Sequence, residues 1–338
     1  MFEAPHNEPL PELLNHITVQ ISRSLAVFIF LFGFVGNILN ILVLSQRSYR
    51  SNSSAWLFIS LSIVNLISLI SGLGTIMIGG WTKNPTDYIG VVCKLRAFFV
   101  FSTRTISTWL IVLATIDRWL LSSISVRRRQ KSSLKNVQKW TVVIIVLSIL
   151  LYSQQLYCYE ANLIDTPLKC YGKTIVCRYC TDLSLAIVTV SAPLILMVLF
   201  GSLIISNVRQ SQRRIQTLAL RNVASTTNKS LPSNAESAER KFKQKIEHSL
   251  LRMLLSQVIL IGIFTLPLCL DKFYSSVSGD NGSHVELAIN AFVYDLAILV
   301  YDISNGIPFY IYTLCGGIVF RKALYDFIML TKRKFQCH

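Results

Sequence analysis

The stretch Cys93–Trp119, CKLRAFFVFSTRTISTWLIVLATIDRW, is largely apolar, begins with a cysteine and ends with the triplet Asp117-Arg118-Trp119. As an α-helix rising about 1.5 Å per residue, its 25 steps from Cys93 to Arg118 would span roughly 37 Å. That length matches the hydrocarbon core of a bilayer plus part of its headgroup region. The stretch therefore predicts a membrane-spanning helix, with a cysteine at one membrane face and an acid–arginine pair at the other.

The composition extends this prediction to the whole chain. Its 338 residues are 52% hydrophobic and only 15% charged, with a mean hydropathy of +0.50. A soluble domain of this length would carry more charge. We predict an all-α bundle of seven transmembrane helices from seven apolar segments: Ile21–Gln46, Ala55–Gly80, Ala97–Ile124, Trp140–Tyr159, Leu183–Ser206, Ser249–Leu270 and Leu287–Leu314.

The positively charged residues are concentrated on one side of the predicted membrane. The net charge is +16, and the predicted inner loops and tail carry 22 lysines and arginines against 8 on the outer side. This asymmetry predicts an extracellular N-terminus and a cytoplasmic C-terminus. It also favours anionic lipid of the bilayer, and not nucleic acid, as the partner of the basic loops.

Three regions follow from this topology. Residues 1–22 are predicted to form an extracellular N-terminus, and residues 23–315 the seven-helix domain. Residues 316–338 are predicted to form a short amphipathic helix and a cytoplasmic tail. Within the tail, apolar residues spaced at i, i+4 and i+7 lie beside two basic ones: Phe320, Leu324 and Phe327, with Arg321 and Lys322.

Single landmark residues occur once per segment, at Gly36-Asn37, Trp140, Pro193 and Pro267. Together with Cys93 and Arg118, they resemble rhodopsin-like (class A) G-protein-coupled receptors over about residues 30–325. The cysteine-rich stretch LKCYGKTIVCRYC makes the chain loosely similar to invertebrate FMRFamide-like neuropeptide receptors. The resemblance implies a plasma-membrane receptor, not an enzyme, with an extracellular peptide ligand and a heterotrimeric G protein as partners.

The resemblance implies that Arg118 is the G-protein switch. At rest it would be held by Asp117 and by Glu247, which lies 20 residues before Pro267 at the inner end of the sixth segment. A partly buried charge pair adds little stability but fixes one arrangement, which suits a two-state element. Alternatively, Arg118 only extends its side chain to the membrane interface.

A polar core is expected in the middle of the bundle. Asn65 occupies the second-segment position where the family usually has an aspartate, which puts the family's sodium ion in doubt. Asp302 on the seventh segment would supply the missing carboxylate, in a cluster with Asn37, Ser107 and Asn305. The alternative is a hydrogen-bonded cluster without an ion, and no other cofactor is implied.

The predicted ligand pocket lies in the outer half of the third segment. Val100 occupies the position, 18 residues before Arg118, where amine receptors have an aspartate, so an amine anchored there is not expected. Arg104 lies four residues deeper and needs an acid, because a buried charge is costly. By depth, Asp295 is the nearest candidate, either as a structural partner or as a partner that ligand binding displaces.

Four of the eight cysteines lie in or beside the second outer loop, where the environment is oxidising. The resemblance implies a disulfide from Cys93 to this loop, with Cys170 or Cys177 as partner. A second disulfide would join Cys158 to the remaining cysteine. Spacing alone leaves this connectivity open.

Two other classes of protein fit the sequence less well. A transporter or channel would need discontinuous helices or charges paired in symmetric halves, and Arg104, Asp295 and Asp302 show no such symmetry. An enzyme would need convergent catalytic groups or metal ligands. All five histidines lie outside the apolar segments: His6, His16, His248, His284 and His338.

Overall fold

The structure is a computed structural model. It describes residues 9–46, 49, 52–79, 84–123, 125–163, 169–223, 234–278 and 284–315, followed by residues 320–322, 324, 325, 327 and 329. The chain order is α1 (Pro9–Leu44), α2 (Ser53–Gly79), α3 (Pro85–Tyr88), α4 (Gly90–Ser122), α5 (Val126–Lys131), α6 (Leu134–Tyr152), α7 (Gln155–Cys158), β1 (Tyr159–Glu160), β2 (Tyr171–Gly172), α8 (Ile175–Ser184), a π-helical turn (Leu185–Ser191), α9 (Ala192–Val223), α10 (Asn234–Ser278), α11 (His284–Gly306) and α12 (Pro308–Cys315).

Seven helical spans make up the bundle, as the sequence predicts. Among the described residues, six are long and apolar enough to cross a membrane: Val19–Leu44, Ser53–Thr75, Gly90–Ser122, Leu134–Cys158, Ile175–Gln210 and Ser249–Asp271. The seventh span consists of α11 and α12, which are separated at Ile307. This break precedes Pro308, which has no backbone N–H to continue the helical ladder.

Several helices extend beyond the predicted segments. The first begins at Pro9, so residues 9–22, predicted to precede the bundle, are helical. The fifth begins at Ile175 instead of Leu183, because the Thr174 side chain accepts a hydrogen bond from the Cys177 N–H and caps the helix there. The π-helical turn that follows joins α8 to α9 without ending the span.

The first and seventh spans approach each other closely at two glycines. A Cβ placed on Gly33 would lie 2.8 Å from the Gly306 Cα, which is too close for a side chain. Small residues allow this kind of contact between membrane helices. The contact fixes the depth of the seventh span, and therefore the depth of its polar side chains.

The described residues of the tail between Phe320 and Met329 are helical. Phe320 is buried, and Leu324 packs against the main apolar cluster of the bundle. Arg321 and Lys322 are exposed. The structure thus packs Phe320 and Leu324 against the bundle, and the exposed Arg321 donates hydrogen bonds to the backbone oxygens of Thr313 and Leu314 at the end of α12.

Candidate functional site

The acid–arginine pair lies buried near the C-terminal end of α4. Asp117 is 2% exposed and Arg118 is 4% exposed. One oxygen of the Asp117 carboxylate accepts hydrogen bonds from the Ser53 and Ser54 hydroxyls, at 2.8 and 3.1 Å. The hydroxyl of Ser132 donates to the other oxygen. The carboxylate therefore joins the third span to the start of the second span and to the segment after α5.

Arg118 is held by the same end of the second span. Its Nε donates to the Ser54 hydroxyl at 2.6 Å, and its Nη2 donates to the Asn52 Oδ1 at 3.1 Å. The same Asn52 oxygen accepts the backbone N–H of Ser54 at 2.9 Å. Glu247, the predicted restraint, lies on α10, and its side chain is outside the described residues.

The sequence analysis did not assign a role to Asn52, Ser53, Ser54 or Ser132. The sequence did contain a helix-capping pattern at three of them. Asn52-Ser53-Ser54 stands directly before an apolar segment, where such side chains commonly cap a helix. Their second contact, with the end of the third span, joins residues 63 to 66 positions apart along the chain. Residue spacing could not reveal that contact.

The polar core is centred on an ion pair between the third and seventh spans. The Nη2 of Arg104 lies 3.1 and 3.2 Å from the two carboxylate oxygens of Asp302, and both side chains are buried. The guanidinium also lies over the Tyr301 ring, 5.0 Å from its centroid. The prediction that Asp295 is the partner of Arg104 was wrong. Asp295 is half-buried and lies seven residues, about 10 Å of helix, from Asp302.

The other predicted core residues form hydrogen bonds around this pair. Asn37 donates its side-chain amide to the backbone oxygens of Gly33, at 2.8 Å, and Asn305, at 2.9 Å. The Asn305 amide in turn lies 3.5 Å from Asp302. Ser107 instead donates to Asn65 at 2.8 Å. Asn65 and Asp302 thus form hydrogen bonds with different residues.

Two disulfides hold the segment between the fourth and fifth spans. Cys93 is bonded to Cys170, with Cα atoms 5.7 Å apart, and Cys158 is bonded to Cys177, with Cα atoms 5.4 Å apart. This is one of the two connectivities that the sequence left open. Strands β1 and β2 between them pair antiparallel, with Tyr159 opposite Gly172 and Glu160 opposite Tyr171. The third span is thereby tied to a hairpin at the end of the bundle opposite to Asp117 and Arg118.

A comparison with known families agrees with this arrangement. The model of the seven-transmembrane receptors of the rhodopsin family matches residues 36–303. The chain belongs to the rhodopsin family of receptors. No curated protein sequence is similar enough to count as a relative.

Membership of the family defines the receptor coarsely as a multi-pass membrane protein, and proteins of this family are generally not enzymes. In the described part of the receptor, no group of three or more His, Cys, Asp or Glu side chains is arranged to hold a metal ion. The match ends just before the part of the seventh span where the sequence reads NGIPFYIYTL.

In that part of the receptor, the aromatic residues face different neighbours. Tyr312 is fully buried, and its hydroxyl donates to Gln257 on α10. The Tyr310 hydroxyl instead donates to the Phe32 backbone oxygen on the first span, at 3.1 Å. Phe309 has no hydroxyl. Of the three, Tyr312 is thus the residue that links the seventh span to the sixth.

The N-terminal half of the third span carries a further arginine, Arg96, to which the sequence alone assigned no role. Arg96, Val100 and Arg104 are spaced four residues apart and share one face of α4. Arg96 and Val100 are half-buried, whereas Arg104 is buried. The two arginines and Val100 therefore lie along one face of the third span, in the part where the sequence predicts the ligand pocket.

A separate cavity of about 800 Å³ lies on another side of the third span. It runs along the fourth span and reaches the fifth, and its lining includes Trp109, Trp140 and Val188. Arg96, Arg104 and Asp302 are not among its lining residues. We therefore do not identify this cavity with the candidate ligand pocket.

Proposed function

We propose that the chain is a plasma-membrane receptor that binds an extracellular peptide and activates a heterotrimeric G protein. The observation that carries this proposal is the buried pair Asp117–Arg118, at the inner end of the third span of a rhodopsin-family chain. The excess of basic residues in the inner loops supports a cytoplasmic location for this end. The N-terminus would then be extracellular.

The peptide ligand is supported by the second outer loop. A β-hairpin anchored by two disulfides has a preformed shape, and preformed surfaces lose less entropy when they bind a flexible partner. Val100 stands at the position where an aspartate would anchor an amine, so that anchor is missing. These features favour a peptide over a small amine.

The switch is supported by the contacts of Arg118. A charged group held by hydrogen bonds to Asn52 and Ser54 has a defined resting position, and it can act elsewhere only when those bonds break. We propose that Glu247 on the sixth span is a further restraint. Release of Arg118 would then accompany the opening of an inner cavity for the G protein.

We propose that the polar core operates without a resident sodium ion. The Arg104 guanidinium already supplies a positive charge to both oxygens of Asp302. A second cation at this carboxylate would be repelled by the first. The role of the ion would thus be filled by a side chain of the receptor.

A peptide-library screen in cells that express the receptor tests this function. Calcium and cyclic AMP are read together, because the G-protein subtype is open. We expect at least one peptide to give a response that is lost in Arg118→Ala at equal surface expression. The matched control is Arg127→Ala, which removes an exposed arginine near the same end of the bundle. A response that survives Arg118→Ala would contradict the proposed switch.

A further inference from the structure

Arg96 lies at the outer end of the third span, within the bundle and close to the second outer loop. Its guanidinium interacts electrostatically with Arg104, with Tyr159 of β1, with Tyr294 of the seventh span and, most weakly, with Asp87 of α3. These groups belong to four different elements. Arg96 therefore lies near groups of the seventh span, the hairpin and α3, as well as of its own helix.

The positive charge of Arg96 is not neutralised by direct contact. Among the described residues, the ion pair of the polar core is formed by Arg104, and no carboxylate lies within 4 Å of Arg96. The Arg96 Nε is buried and has no hydrogen-bond partner. The residue as a whole is only partly buried.

The two arginines on this face differ in a way that points to a ligand. Arg104, the deeper one, has a carboxylate supplied by Asp302. Arg96 lies about two turns nearer the outer side. Its electrostatic neighbours are a repelling arginine, two tyrosines and, most weakly, Asp87. A partly desolvated cation without an anion is unfavourable, and a bound anion removes that penalty.

We propose that Arg96 binds a carboxylate group of the extracellular ligand, so that the receptor selects acidic ligands. This inference rests on the proposed receptor function and names the chemical class of its ligand. A guanidinium presents its donors in a planar fork that matches the two oxygens of a carboxylate. In a peptide, the carboxylate could come from the free C-terminus or from an Asp or Glu side chain.

Tyr159 would contribute to the same site. Burial raises the pKa of the Tyr159 phenol well above its usual value, so the group remains a neutral O–H at physiological pH. A neutral phenol can donate a hydrogen bond to a carboxylate, whereas a phenolate would repel it. The hairpin that carries Tyr159 is fixed to the third span through Cys93–Cys170.

The test uses two small probes of nearly equal shape, 3-phenylpropionate and its neutral amide. Each is added at millimolar concentration to the purified full-length receptor, and the midpoint of thermal unfolding is recorded. We expect the acid to raise the midpoint and the amide to leave it unchanged. A rise with both probes, or with neither, would overturn the proposal.

Three variants assign the effect to Arg96. Arg96→Gln should abolish the response to the acid, and Arg96→Lys, which keeps the charge but loses the fork, should retain a weaker response. Lys94→Gln is the matched control, because it removes a cation two residues away on another face of α4. If Arg96→Gln does not fold, Arg96→Lys is compared with Lys94→Gln. Only Arg96→Lys should reduce the rise in the unfolding midpoint that the acid causes. An unchanged acid response in the Arg96 variants contradicts the site.

Peptide pairs then separate the two sources of the carboxylate. Each active peptide is tested with a free and an amidated C-terminus, and with Glu replaced by Gln. Loss of potency on amidation identifies the C-terminal carboxylate, and loss on Glu→Gln identifies a side chain; either result supports the proposal. We expect at least a tenfold change in wild type and little in Arg96→Gln. Full potency of an uncharged peptide would overturn it.

The failure of this inference can be distinguished from the failure of the proposed function. G-protein activation through Arg118 does not depend on the charge of the ligand. If activation requires Arg118 but the carboxylate probes have no effect, only the ligand class is wrong. If the carboxylate binds at Arg96 and no variant of Arg118 alters nucleotide exchange, only the signalling role is wrong.

Discussion

Arg104 on the third span and Asp302 on the seventh form a buried ion pair, in which one guanidinium nitrogen lies 3.1 and 3.2 Å from the two carboxylate oxygens. The pair connects two spans that are separated by 197 residues of intervening chain. Removing one partner leaves the other charge buried and uncompensated, which is costly in the middle of a membrane.

We therefore expect Arg104→Gln and Asp302→Asn each to destabilise the receptor by about 3–5 kcal/mol. The double variant Arg104→Met/Asp302→Leu should regain most of this loss, because no buried charge remains. Thermal unfolding of the purified receptor in detergent measures both effects. Asp295→Asn is the control, and it should have a small effect. Additive losses in the double variant would show that the two residues do not interact.

Sodium ions should not stabilise this receptor. Because Arg104 already neutralises Asp302, replacing choline chloride with sodium chloride at the same ionic strength should leave the unfolding midpoint unchanged. The measurement is a titration of the purified wild-type receptor with each salt. A rise in the midpoint that is specific to sodium, and absent in Asp302→Asn, would contradict this role of Arg104.

The contact between Gly33 and Gly306 should tolerate no side chain. Gly33→Ala places a methyl group 2.8 Å from the Gly306 Cα, and we expect it to destabilise the receptor by roughly 1–3 kcal/mol. Gly74→Ala is the matched control, since a methyl group there meets nothing within 4 Å. In that variant, the better helix propensity of alanine should leave stability unchanged or improved. Equal losses in the two variants would rule out a close approach of the first and seventh spans.

The structure predicts which cysteines are joined by disulfides and which are free. Mass spectrometry of non-reduced peptides should recover Cys93 joined to Cys170 and Cys158 joined to Cys177. Cys93→Ala should lower surface expression, because losing such a bridge typically costs about 2–5 kcal/mol. Cys180→Ser, which changes an exposed free cysteine, should not. Recovery of Cys93 as a free thiol would contradict the structure.

The sequence predicted the parts of this receptor that depend on pattern within one segment. Apolar length identified the spans, and the spacing from Cys93 to Arg118 assigned their two ends to opposite membrane faces. Asp295 and Asp302 are seven residues apart, so helical periodicity puts them on one face of the seventh span and does not distinguish them as partners of Arg104. Periodicity does not fix how deep that span sits beside the third, which is why the partner of Arg104 was misassigned.

The missing information was contact between segments. The close approach of Gly33 and Gly306 sets the depth of the seventh span, and nothing in either segment alone reveals it. The same holds for Ser54, whose hydroxyl bonds both Asp117 and Arg118 from a different helix. Such pairs are decided by packing, so they become visible only in the folded chain.

The central claim is that Arg118 is a G-protein switch held in its resting position by the start of the second span. Ser54→Ala removes hydrogen bonds to both Arg118 and Asp117, and Glu247→Ala removes the proposed restraint on the sixth span. Losing about 1.4 kcal/mol of an interaction found only at rest raises a small open population nearly tenfold. Arg118→Ala removes the switch itself. Ser71→Ala is the control, because that hydroxyl bonds only backbone oxygens of its own helix.

Ligand-independent nucleotide exchange on a panel of G proteins, normalised to surface expression, tests this claim most directly. We predict that Ser54→Ala and Glu247→Ala raise basal exchange, that Arg118→Ala abolishes it, and that Ser71→Ala leaves it at the wild-type rate. A lower basal rate in both Ser54→Ala and Arg118→Ala would contradict the claim, and Ser54 would then support the active arrangement and not the resting one.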